Sequence, residues 1–182
     1  MKKLSIAAVL LLLIAATLAQ EAWKDEQGRP LPNTDSRRSI NGFGGWLLVT
    51  SDTDWRAKWE APSTNVPRFN EANTVARGKQ LFVLTFFANP QLNSAGNADV
   101  SCDIHTLRPN GTSSVDQKDA ICFNGAPKEN PRNMYLCAVI IGFVGDPGDP
   151  AGEWLVHITL KDNVRHVSLP LKTSFVLQER DG

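Results

Sequence analysis

The chain has 182 residues with 19 basic and 19 acidic side chains, so its formal charge at neutral pH is zero. That balance excludes the strongly positive surface on which nucleic-acid binding rests. The length and the 42% hydrophobic content suit one domain with a core of its own.

Lys2 and Lys3, the apolar run from Ala7 to Ala16 and the small-residue stretch Thr17-Leu18-Ala19 read as a secretory signal over residues 1–19, cleaved before Gln20. The run is shorter than the roughly 20 residues a bilayer span needs, so no membrane span is expected once the signal is removed. Removal leaves 17 basic residues against 19 acidic ones. The short n-region and the absence of cysteine at the cleavage site point to a soluble bacterial protein, periplasmic or secreted. Residues 20–40, with Gly28, Pro30, Pro32 and the Arg37-Arg38 pair, show no period of 2 or 3.6. They read as an extended or poorly ordered arm, or as an added edge strand anchored by Trp23. The domain proper is expected over residues 41–182.

Within it, Asn41-Gly42-Phe43-Gly44-Gly45 reads as a flexible turn; a strand and not a helix follows, so it is no phosphate loop. A first strand is expected over 45–50. Over 54–60, Trp55, Ala57 and Trp59 alternate with Arg56, Lys58 and Glu60, the period of a half-buried strand, while the Trp55–Trp59 spacing also fits one helical turn. Residues 62–76 look irregular. The doubly apolar run 81–88 suits a central strand ending at Asn89-Pro90.

Residues 99–107 and 115–123 form a hairpin about Arg108-Pro109-Asn110-Gly111-Thr112. The most hydrophobic strand follows at 133–144. A turn with two Asp-Pro steps, Asp146-Pro147-Gly148-Asp149-Pro150, then leads into residues 153–161, whose Trp154, Val156, Ile158 and Leu160 share one face. Asp162-Asn163 turns the chain into the last strand, 167–177. Pro170 cannot donate to a ladder, so that strand is expected to be an edge or to bulge there. This cadence predicts an all-β fold, one antiparallel β-sandwich of seven to nine strands.

Gly78-Lys79-Gln80-Leu81-Phe82-Val83-Leu84 and Asp149-Pro150-Ala151-Gly152-Glu153-Trp154-Leu155-Val156 carry a resemblance. From about Arg77 to Leu177 the chain resembles bacterial immunoglobulin-like or fibronectin-like sandwiches, and shares the cadence of some macroglobulin-type modules. Trp154 stands where many such domains have a corner tyrosine. It has no hydroxyl, so the resemblance does not carry over the corner hydrogen bond. For function the resemblance implies little, because such sandwiches serve adhesion, assembly, inhibition and ligand binding alike.

Three cysteines, Cys102, Cys122 and Cys137, allow one disulfide and one remaining thiol. Cys102 and Cys122 lie at nearly equal distances from the hairpin turn, so the expected bridge joins them, and Cys137 reads as a buried small hydrophobe. Of the three histidines, His157 and His166 flank the last turn and are expected to face each other diagonally. With an oxygen or sulfur neighbour they are ligand types for zinc or copper, though their spacing matches no closed motif. Asp146, Asp149 and Glu153 offer oxygens for calcium, or simply bond the backbone of their own turn.

Trp46, Trp55 and Trp59, with Phe69, form an aromatic segment suited to stacking on sugars, anchoring a protein partner or filling core. No nucleophile elbow, zinc-protease motif or triad order is present, and no cofactor is expected. The expected function is non-catalytic: binding another periplasmic or cell-surface protein through a loop, an aromatic patch or a free sheet edge. The alternative is carriage of a small ligand or metal ion.

Overall fold

The computed structural model describes residues 22–25, 27–62 and 67–179. The expected signal segment, 1–19, lies outside them. In chain order the elements are β1 (Arg37–Ile40), β2 (Phe43–Thr50), the helix α1 (Trp55–Glu60), β3 (Thr74–Ala76), β4 (Gln80–Ala88), β5 (Ala98–Leu107), β6 (Ser113–Gly125), β7 (Met134–Leu136), β8 (Ile141–Val144), β9 (Gly152–Asp162) and β10 (Val167–Gln178).

Alternation places the longest strands. On β9 the even-numbered Trp154, Val156, Ile158 and Leu160 are buried, and on β10 Leu169, Leu171, Phe175 and Leu177 are buried. These two strands pair antiparallel from Val167↔Asp162 to Leu177↔Gly152, so their apolar residues meet on one face. β5 and β6 extend the sheet on one side and short β3 pairs parallel on the other, giving the order β3-β10-β9-β5-β6. The second sheet runs β1-β2-β4-β7, with β8 also on β4. The core between the sheets takes Phe43, Leu47 and Val49 from β2 and Leu81, Val83 and Phe87 from β4. Each such side chain contributes about 1.5–3 kcal/mol by leaving water.

The fold is thus an all-β sandwich. Its described residues make ten strands where seven to nine were expected. One reason is the expected strand 133–144, which is broken: β7 and β8 both pair with β4, but the register slips by two residues across the Cys137–Ile140 jog. A second is the arm. Its Arg37–Ile40 pairs with β2 through the two-residue loop Asn41-Gly42, whose φ values of 50° and 82° are those of a tight primed hairpin turn. The expected flexible turn is therefore a defined one, and Gly44 and Gly45 belong to β2. Trp23 anchors the arm, its indole N–H donating to the Arg38 carbonyl at 2.9 Å.

Residues 55–60 form a helical turn and not a strand. At the i, i+4 spacing Trp55 and Trp59 point the same way, onto Phe82 and Phe86 of the outer face of β4. Lys58 Nζ ties the turn down, 2.7 Å from Asp52 and 3.2 Å from Asp54.

Pro170 sits opposite Thr159 of β9, while β3 covers only Val176–Gln178 on the other side of β10. At the proline β10 is locally an edge, as a residue without an N–H requires.

Candidate functional site

The three cysteines converge. Cys102, Cys122 and Cys137 are all buried, and their sulfurs lie within 4.8 Å of one another. The disulfide, however, joins Cys122 to Cys137 and leaves Cys102 free, which corrects the expected Cys102–Cys122 bridge.

The reason is register. Cys102 stands opposite Ala120, and Cys122 is the extra residue of a bulge between the Val100↔Phe123 and Ser101↔Ile121 pairs. Cys122 therefore lies two residues past the cross-strand partner of Cys102, an offset that counting residues from the hairpin turn does not show. The jog after β7 meanwhile brings Cys137 across from the other sheet, where the Ala138 N–H donates to the Cys122 carbonyl at 2.8 Å. Burial, helped by the Asp103 charge and opposed by Lys161, pushes the Cys102 thiol up to about 11.

His157 and His166 are not neighbours. His157 pairs across β10 with Lys172, whereas His166 precedes Val167 in the turn, at φ 58°. The six residue steps of strand from His166 to Lys172 hold them roughly 20 Å apart. The expected two-histidine metal site is therefore not formed. His157 instead lies beside His105 of β5, ring centroids 6.3 Å apart, between that imidazole and Lys172. Its Nε2 is buried without a hydrogen-bond partner. Burial first, then the Lys172 and His105 charges, lower its pKa from the ordinary value. The Lys172 ammonium beside His157 makes this row a poor cation site.

The acidic corner is filled by protein. Arg77 places its guanidinium among the oxygens a calcium ion would use, donating to the Asp149 carbonyl at 3.0 Å and to the Asp146 carbonyl. Glu179 holds Arg77 in a two-pronged pair at 2.8 and 3.1 Å. Asp149 Oδ2 accepts the Asp146 N–H at 3.0 Å, as turn chemistry requires. At the corner Trp154 donates its indole N–H to the Pro150 carbonyl at 3.1 Å, so the buried indole keeps its hydrogen bond.

The tryptophans pack inward. Trp55 is buried, and Trp46 and Trp59 are half-buried with ring centroids 5.4 and 5.3 Å from that of Phe86. With Leu48, Leu84 and Phe69 they form a second, smaller core under α1. One face of Trp46 also lines a polar cleft of about 320 Å³ between β2 and β10, beside Ser36, Glu71, Asn73 and Thr173.

The surface left open is β6, the 13-residue end strand of its sheet. Ser113 to Asp119 are exposed on both faces, so this part of the hairpin stands clear of the core. Val115 is 39% exposed and Ile121 66%. Val115 opposes Thr106 and Ile121 opposes Ser101, which puts the two apolar side chains on opposite faces of one strand. Lys161 Nζ bridges Asp103 and Asp119, both at 2.7 Å, and so fixes the bulge at Asp119. Sequence alternation alone did not mark β6 as an edge; the ladder order does.

Among the described residues no histidine hydrogen-bonds a carboxylate, and no helix is long and apolar enough to cross a membrane.

No protein-family model and no curated protein matches the chain. Among solved structures, a family 123 glycoside hydrolase from Clostridium perfringens is 10% identical with a TM-score of 0.40, over 74% of this chain and 27% of the hydrolase. A CARDB domain from Pyrococcus furiosus, solved with di-metal ions, is 10% identical over 59% of this chain and 81% of its own, TM-score 0.36. A Niemann-Pick type C2 protein from the Japanese carpenter ant is 8% identical over 72% and 89%, TM-score 0.33. At such overlap and identity these proteins bear on neither activity nor ligand, and the chain stands as an all-β sandwich.

Proposed function

We propose that this chain is a non-catalytic, immunoglobulin-like sandwich of the periplasm or cell exterior that binds another polypeptide by strand addition along β6. The observation that carries this reading is the free outer edge of β6, flanked by the exposed Val115 and Ile121. An extended partner segment would take up the unpaired main-chain N–H and C=O groups of β6 and lay alternate side chains over the two apolar positions. Asp116, Lys118 and Asp119 and the bulge at Asp119 restrict which segments fit, the usual guard against indiscriminate edge pairing. The buried Cys122–Cys137 disulfide supports the oxidising compartment that the N-terminal sequence suggests. The test places photo-crosslinking residues at positions 115 and 121, with position 172 as control. One defined polypeptide should be captured from both β6 positions, not from the control, and lost on Ile121→Lys. Capture that is equal at position 172, or unaffected by that substitution, ends the reading.

A second reading, carriage of a small polar ligand, draws on the cleft beside Trp46. It predicts that a metabolite raising the melting temperature also changes Trp46 fluorescence, and that Asn73→Ala removes both effects.

A further inference from the structure

A free thiol is buried in one cluster with a disulfide, and among the described residues no other metal-ligating side chain joins that group. Two of the sulfurs are bonded to each other, so the cluster holds one nucleophile and one electrophile. We infer that Cys102 exchanges with the Cys122–Cys137 disulfide, forming a Cys102–Cys137 bond and releasing Cys122. In that step the Cys102 thiol gives its proton to solvent and the thiolate attacks Cys137 Sγ. The Cys122–Cys137 bond breaks, its electron pair stays on Cys122 Sγ, and that sulfur takes up a proton. One disulfide and one thiol exist before and after, so no oxidant or reductant is consumed.

The direction of exchange follows from the ladder. Cys102 opposes Ala120, which leaves Cys122 diagonal to it on the neighbouring strand. Diagonal residues have Cα atoms roughly 7–8 Å apart. A disulfide spans about 4.4–6.8 Å between Cα atoms, so a bond within the sheet is strained. Cys137 comes from the opposite sheet, and its Cα already lies 4.4 Å from that of Cys122. Both the initial and the final bond therefore staple the two sheets; what changes is which strand is held, β6 before and β5 after. Exchange unfastens the end of β6 and leaves it with its β5 ladder and the Ala138–Cys122 main-chain bond.

With its pKa pushed to about 11, Cys102 is almost wholly protonated at neutral pH, so exchange is slow there. Its rate should rise about tenfold per pH unit below that value, following the thiolate fraction.

The experiment is disulfide mapping by mass spectrometry under non-reducing conditions, after incubation of the folded oxidised protein at stepped pH and acid quenching. The expected result is a Cys102–Cys137 peptide that accumulates about tenfold faster per unit while circular dichroism stays native. It should be absent in Cys102→Ser. The Cys122→Ser variant, oxidised in air, should form the Cys102–Cys137 bond quantitatively. Wild-type protein that keeps only Cys122–Cys137 at every pH overturns the inference. So does accumulation of Cys102–Cys122 links to an equal share, the signature of scrambling through unfolded chain. Two free thiols in a natively folded Cys122→Ser variant also overturn it. If that variant does not fold, the wild-type map decides alone.

Discussion

Arg165 lays its guanidinium 3.2 Å from the carboxylate of Asp162, a side chain with no exposure to solvent. From that position Arg165 also donates to the Asn89 carbonyl at 2.9 Å and to the carbonyl of Asn41. Asp162 in turn accepts the main-chain N–H groups of Gln91 at 2.8 Å and Arg165 at 2.9 Å. Three loops are thus tied at one buried ion pair: the β1–β2 turn, the segment after β4 and the β9–β10 turn. Removing the cation leaves an uncompensated buried carboxylate. Arg165→Met should therefore cost about 3 kcal/mol. Asp162→Asn with Arg165→Met should recover part of that loss. Urea unfolding of the three variants checks it; a double variant no more stable than Arg165→Met contradicts the buried-charge account.

Asp52 gives the molecule an acid limit. Burial raises its carboxyl pKa, but hydrogen bonds from Lys58 and from both nitrogens of Asn70, with the Lys58 charge, outweigh burial and hold it at about 2 against an ordinary 3.8. A carboxyl whose folded pKa is depressed stabilises fully above its unfolded pKa and loses that contribution as pH falls through the folded one. The stabilisation, on the order of 2 kcal/mol, should drain away between about pH 4 and pH 2. Asp52→Asn should flatten the pH dependence of unfolding in that window. An unchanged slope would show that other carboxylates govern it.

Gly45 marks a place where the two sheets approach closely. A Cβ built on it falls 2.7–2.9 Å from methyl carbons of Leu160, Leu169 and Leu171. Three side chains in the core would have to shift together, so Gly45→Ala should destabilise by about 1–3 kcal/mol. Adding Leu169→Val should restore some stability by making room. Calorimetry distinguishes the cases: if the alanine variant melts with the wild type, the sheets have more slack than the contacts imply.

His157 predicts a second pH effect near neutrality. Burial, Lys172 of β10 and His105 of β5 lower its pKa from 6.5, so the folded protein resists protonation more than the unfolded chain does. Its contribution is complete above about pH 6.5 and is lost as pH falls. Lys172→Ala removes one repelling charge and should move the His157 titration, followed by its imidazole proton resonances, to higher pH. A titration that stays in place assigns the shift to burial and His105 and not to Lys172.

The longest strands were legible because one face is buried and the other wet, and β9 and β10 follow period 2 nearly throughout. What alternation cannot report is a bulge. Both strands were correctly placed, yet Cys122 is itself the extra residue of a bulge, two residues past Ala120, the partner of Cys102. The Trp55–Glu60 segment failed differently: Trp55, Ala57 and Trp59 satisfy a strand's period, while Trp55 and Trp59 satisfy a helix's, and only the landing surface offered by Phe82 and Phe86 decides. The seating of Arg77 at the acidic corner was out of reach for a similar reason. Arg77 lies 69 and 72 residues from the carbonyls it bonds.

The Arg165 tie also sets an order in time. Its partners Asn41 and Asn89 are made before Arg165, so a nascent chain that stops within β9 carries the sheet β1-β2-β4-β7 with that junction open. β9 then has no β10 beside it, and Leu160 faces a half-built core. Closure is reserved for the final hairpin, a non-local event of the kind that makes β-sandwiches slow to fold. Until β10 has emerged, β9 shows an unfinished apolar face, the kind of surface that invites aggregation.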